Sequence, residues 1–216
     1  MFRQGRTFCV VVALCAAALG SPSARASSVD FGGEDPSADA RRIAQWIVGS
    51  GDNKGLPFAI VDKKDARLFV FDPGGRVIGA TPALLGLAPG DRSLPGVGDK
   101  DPALLKPFER TTPSGRFESE PGRNYTGEAI VWFDYDAALA IHRLRPGQSK
   151  AGRTKRLASP TPADRRASFG CVVVPVAFYD SVVRPTLGRV RGVVYVLPET
   201  RPAFEVFGGK WVGPLL

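Results

Sequence analysis

Chemically versatile side chains are scarce in this sequence: 216 residues hold one histidine, one methionine and three cysteines. So few soft ligands exclude a Cys/His metal site of the usual kind, and no metal or organic cofactor is expected. Long apolar runs are also missing. The longest, Phe8 to Leu19, is shorter than a membrane-spanning helix needs. No G-x-S-x-G elbow marks a serine hydrolase. Acids are in deficit, 21 against 29 Lys and Arg for a net charge of +8. The excess accompanies no aromatic–basic motif, so nucleic acid is not an expected partner. No internal repeat is visible.

The first 26 residues read as a signal peptide: Arg3 and Arg6, the apolar run, then Ala24-Arg25-Ala26 ahead of Ser27. A retained N-terminal anchor is the alternative. Lipid attachment at Cys15 is disfavoured by bulky Leu14, where a small residue is wanted. Export to the periplasm or cell wall is expected, with no stable membrane insertion after cleavage. Cleavage removes Arg3, Arg6 and Arg25 and no acid, leaving +5. Cys9 and Cys15 go too, so Cys171 remains as a lone thiol without an internal disulfide partner. Two readings of Cys171 stay open at this point: a small buried core residue or a nucleophile.

The 25 glycines and 19 prolines favour a strand-containing, loop-rich fold. Residues 27–55 read as a linker and a helix over Ser37 to Val48, with Trp46 on its apolar side. "PFAIVD" (57–62) and "ARLFVFD" (66–72) flank polar Lys63-Lys64-Asp65 as a hairpin, and "DPGG" (72–75) marks the next turn. A long loop follows over 88–107. "EAIVWFD" (128–134) and "AALAIHRL" (137–144) read as adjacent strands, Val176 to Val183 as a short helix, and "RGVVYVLPE" (191–199) as a final strand. The pattern predicts one mainly β domain with one or two short helices, of sandwich or barrel type, joined by hairpins instead of regular βαβ units.

His142 ends an apolar strand, where a lone histidine is often structural. Cys171 follows it by 29 positions, and a thiol needs a base or a cation beside it to react near neutral pH. A Cys–His pair is therefore chemically available.

Three segments in order, "RTTPSGRF" (110–117), "ALAIHRL" (138–144) and "SFGCVVV" (168–174), resemble the catalytic domain of YkuD-type L,D-transpeptidases. "RLFVFDPGGRVIGATPALLG" (67–86) resembles that family's opening hairpin, and the likeness spans residues 56–198, leaving 199–216 as a C-terminal extension. The resemblance implies a YkuD fold and a cysteine acyltransferase acting on peptidoglycan stem peptides. It would form 3→3 crosslinks or trim terminal D-alanine. It further implies Cys171 as nucleophile, His142 as base, the Arg143 carbonyl as orienter of the imidazole, and the Gly170 and Cys171 amides as oxyanion donors. Ser168, Phe169 and Tyr125 are the substrate-side candidates. Phe169 stands where the family carries a second histidine, and Val173 replaces a polar residue. These departures raise a catalytically silent wall-binding module as one alternative, and a cysteine peptidase on other peptides is another. Residues 143–166 hold eight Lys or Arg and one acid, Asp164. They read as a solvated flexible loop, or as cations that meet stem-peptide carboxylates.

Overall fold

The computed structural model describes residues 29–147 and 150–207. The signal segment 1–26 and the extension's last part, 208–216, lie outside the described residues. Among the described residues there are ten strands: β1 Phe58–Asp62, β2 Arg67–Phe71, β3 Val77–Pro82, β4 Leu85–Gly86, β5 Gly115–Arg123, β6 Ala129–Asp134, β7 Leu139–Arg143, β8 Arg166–Ser168, β9 Val172–Val174 and β10 Gly192–Val196. Eight form one sheet in the order β3-β2-β1-β10-β5-β6-β7-β9, while β4 and β8 pair separately. Most neighbours are antiparallel, but β1 runs parallel to β10 and β7 parallel to β9.

The two ends of this sheet come back together. Just after β3, Leu84 bridges Val173 of β9, its N–H donating to the Val173 carbonyl at 2.8 Å and its carbonyl accepting at 2.9 Å. The sheet is thus a nearly closed barrel. Side chains alternate across each strand. Val131, Phe133, Leu139, Ile141, Val172 and Val174 turn inward to one buried cluster. On the outside of β1, β2 and β10, Phe58, Ile60, Phe69, Phe71, Val193 and Tyr195 form a second.

Helix α1 (Ala38–Ser50) covers that second cluster with Ala40, Ile43, Ala44 and Ile47, spaced to fall on one face. Ser37 caps it by accepting from the Ala40 N–H at 3.1 Å, and Gly51 ends it at φ 68°. The described end of the chain packs there too, with Phe207 against Trp46 and Tyr195. Val176–Phe178 forms a short helical turn that widens into π-helix over Tyr179–Val183.

Two features differ from the sequence expectations. The basic segment expected as a flexible loop contains α2, Lys150–Ala158, because Leu157 finds a buried seat against Leu84, Leu144 and Val173. Lys63, expected in an exposed hairpin turn, has no exposed side-chain surface. Loop residues fold back over it, giving ion pairs to Asp91 at 2.7 Å and Glu199 at 3.5 Å and a hydrogen bond to the Thr112 carbonyl at 3.0 Å. Among the described residues no helix is long and apolar enough to cross a membrane.

Candidate functional site

Three segments converge beneath Cys171. The chain over 84–87 runs beside the loop over 168–171, with β4 paired to β8 and the Leu87 N–H donating to the Ser168 carbonyl at 3.0 Å. Below both lies Thr111-Thr112. The fully buried Thr112 hydroxyl accepts from the Gly86 N–H at 2.9 Å and donates to the Gly170 carbonyl at 2.7 Å. A Cβ on Gly170 would stand 2.7 Å from Leu139 Cδ2 and 2.8 Å from the Thr111 carbonyl, and its φ of +128° is one that L side chains rarely adopt. Glycine is therefore required there.

Ser168 staples the loop from within. Its hydroxyl donates to the Cys171 carbonyl at 2.6 Å and accepts from the Gly170 N–H at 3.1 Å. The Gly170 amide is thereby committed to Ser168. Cys171 is partly exposed, with Sγ 3.9 Å from the Ala138 carbonyl.

The β7–β9 register decides where the histidine lies relative to this thiol. Ile141 pairs with Val172 and His142 with Val173, and the two isoleucine–valine partners face the barrel interior. Strand alternation therefore puts His142 and Val173 on the opposite, outer face, while Cys171, just ahead of β9, packs against both the interior cluster and the one around Val173. Cys171 sits opposite Ala140. The base candidate is thus further along the neighbouring strand. His142 Nδ1 lies 2.8 Å from the Arg143 carbonyl. A carbonyl only accepts, so Nδ1 carries the proton and Nε2 keeps its lone pair.

Burial sets the charge states. It pushes the His142 imidazole down to about 4, with Arg145 acting in the same direction and the Arg143 hydrogen bond opposing. It pushes the Cys171 thiol up, partly offset by the Ala140 backbone and by Arg145. Both groups are neutral at pH 7.

The remaining candidates fall around this pair. The Arg143 side chain turns away, ion-pairing with Asp180 at 3.0 Å and stacking 4.7 Å above the Tyr179 ring. Phe169 is 47% exposed, with the Arg110 guanidinium 4.7 Å from its ring centre. Tyr125 is 95% exposed in the turn between β5 and β6, and no contact joins it to Cys171 or His142 among the described residues. Thr112 was not singled out from the sequence, although the Thr-Thr-Pro motif containing it was. Among the described residues no group of three or more His, Cys, Asp or Glu side chains is placed to hold a metal.

The fold and site together define a nearly closed β barrel that presents a neutral histidine on β7 and a cysteine immediately before the parallel strand β9. No protein-family model matches the chain, and no curated protein matches it. Solved structures do show a likeness of fold. The helical cell shape determining protein Pgp2 from Campylobacter jejuni is 16% identical, with a TM-score of 0.43, over 68% of this chain and 48% of that one. The L,D-transpeptidase from Xylanimonas cellulosilytica is 17% identical, with a TM-score of 0.40, over 65% and 60%. The catalytic domain of the Enterococcus faecium L,D-transpeptidase is 15% identical, with a TM-score of 0.34, over 65% of this chain and 96% of that domain. The chain spans about half the length of the Campylobacter protein.

Proposed function

We propose that this protein is an exported L,D-transpeptidase that works on peptidoglycan stem peptides through a Cys171 thioester. One observation carries the reading: His142 is held as the Nδ1–H tautomer on β7, and the residue after Cys171 begins the strand paired with it. In this scheme Nε2 takes the thiol proton as sulfur attacks the carbonyl preceding the terminal D-alanine. The Cys171 amide meets the developing oxyanion, and the Gly170 amide joins it only if it leaves Ser168. The C–N bond then breaks, D-alanine departs with the proton from His142, and a thioester remains. An amine of a second stem peptide attacks the thioester, loses a proton to His142 and expels the thiol, forming a 3→3 crosslink. Water in place of the amine gives carboxypeptidase chemistry. The ordered motifs at 110–117, 138–144 and 168–174 support the assignment.

A second reading, a silent wall-binding module, is favoured by the Gly170 amide being occupied and by Phe169 standing beside the cysteine. Intact-mass measurement after exposure to a carbapenem separates the two. The expected result is one adduct per chain, lost in Cys171→Ala. A wild-type protein that stays unmodified at saturating reagent favours the silent module. Release of D-alanine from purified muropeptides then distinguishes a wall enzyme from a peptidase of other substrates.

A further inference from the structure

Between α2 and the nucleophile loop runs an open groove of about 480 Å³, walled by Arg110, Arg153, Arg156 and Arg166 with Leu87 and Phe169. Among the described residues no carboxylate lines it. Arg166 is neutralised by Glu199. The other three arginines form no ion pair among the described residues, yet each is held by a neutral acceptor. Arg110 donates twice to the Leu105 carbonyl, at 3.0 and 2.6 Å. Arg153 donates to the Arg145 carbonyl at 3.4 Å, and Arg156 to the Asp164 carbonyl at 2.9 Å. Carbonyls orient a guanidinium without cancelling its charge. The groove therefore carries three directed cations with no internal counter-ion.

A second arginine-rich cavity near Arg143 and Arg145 is built differently. There Glu128 takes Arg145 at 2.6 Å and Asp180 takes Arg143 at 3.0 Å, so these two arginines are paired, while Arg123 donates to the Gly127 carbonyl. The groove beside Cys171 differs in having no carboxylate among its described lining residues.

We propose that this groove is an anion subsite of the transferase, holding a carboxylate of an acidic peptide whose scissile carbonyl is presented to Cys171. The proposal rests on the transferase reading and adds its specificity. Guanidinium forks match a carboxylate in geometry as well as charge. Leu87 and Phe169, 38% and 47% exposed, supply an apolar floor suited to a peptide chain. The groove ends at Ser168 and Phe169, within three residues of the thiol. Anchoring there positions the reacting bond by contacts remote from it. The α2 arginines thus do in recognition what Val173, apolar and buried beside the cysteine, does not.

Binding tests this without requiring turnover. Full-length Cys171→Ala protein is titrated calorimetrically with a stem tetrapeptide bearing free side-chain carboxylates, and with the same peptide carrying those groups as amides. The acid form is expected to bind about tenfold tighter at low salt, with the preference shrinking as ionic strength rises. Arg153→Gln/Arg156→Gln should bring the two affinities within about twofold, and Arg156→Lys should keep part of the difference. An unchanged melting temperature shows that the variants remain folded. Equal affinities in the parent, no binding of either peptide, or a preference that survives the double substitution overturns the subsite. So does a polyglycerol phosphate that binds through these arginines while the peptide's carboxylates make no difference. The wild-type enzyme separates the two levels of inference. Preference in binding without D-alanine release removes the transferase and leaves the subsite. D-alanine release at equal kcat/KM from both peptides removes the subsite and leaves the transferase.

Discussion

At Cys171 and His142 one physical cause acts on two groups in opposite directions. Burial lifts the thiol and depresses the imidazole, so no thiolate–imidazolium pair is stored in the resting protein. In the proposed reaction the proton therefore moves as the substrate carbonyl is attacked. A base that protonates only near pH 4 stays competent through mildly acidic conditions. The acid limb of kcat/KM for D-alanine release is therefore expected at about pH 4, not near 6.5. Alkylation of the free thiol by iodoacetamide should fall steadily from pH 9 to pH 6, with no reactive plateau at low pH. A limb at pH 6 or above would show a solvated imidazole. Both residues were legible in the sequence because each is the sole one of its kind once residues 1–26 are set aside. The commitment of the Gly170 amide to Ser168 was not legible, since it depends on loop dihedrals that no residue name encodes.

The elements around the pair divide by how local their determinants are. Helix α1 and the β1–β2 and β6–β7 hairpins were readable from spacing and turn residues, because their apolar periods and caps lie within a dozen positions. Helix α2 was not. Its nine residues offer one buried apolar side chain, Leu157, whose seat is made by Leu84, Leu144 and Val173 from three other segments. The support under the Cys171 loop is likewise non-local, since Thr112 grips Gly170 from 58 positions away. Thr112→Val keeps the side-chain shape and removes both hydrogen bonds. It should cost about 1–3 kcal/mol in denaturant unfolding. Carbapenem acylation should slow while the pH midpoints stay in place, because the loop is positioned by Thr112 and titrated elsewhere. A shifted acid limb would instead place Thr112 in the proton path.

Across the whole molecule, one buried cation holds segments that are far apart in the chain. Lys63 reaches Asp91, Thr112 and Glu199, and Glu199 in turn pairs with Arg166 at the start of β8. The Asp91 carboxyl is well below the usual range: burial acts against this, but Lys63 and Thr200 more than offset it. Lys63→Met fills the same space and leaves the Asp91 carboxylate without its cation, while Glu199 keeps Arg166. A loss of about 3–5 kcal/mol is expected by chemical denaturation. A loss under 1 kcal/mol would mean that water reaches those carboxylates freely. A lysine followed by another lysine and an aspartate reads as a solvent-facing turn, so this anchor was hidden until the 88–107 loop was seen to cover it.

The position of α2 in the chain has an evolutionary consequence. The helix enters after the histidine and leaves before the cysteine, and it is tied to the barrel by a small apolar patch. Its outward side chains can therefore be replaced, lengthened or inverted in charge while β7 and β9 still hold His142 and Cys171. On the proposed function, reaction and recognition sit on separately mutable parts of one polypeptide. Descendants of such a scaffold change what they bind by drift in nine residues, without passing through an inert intermediate.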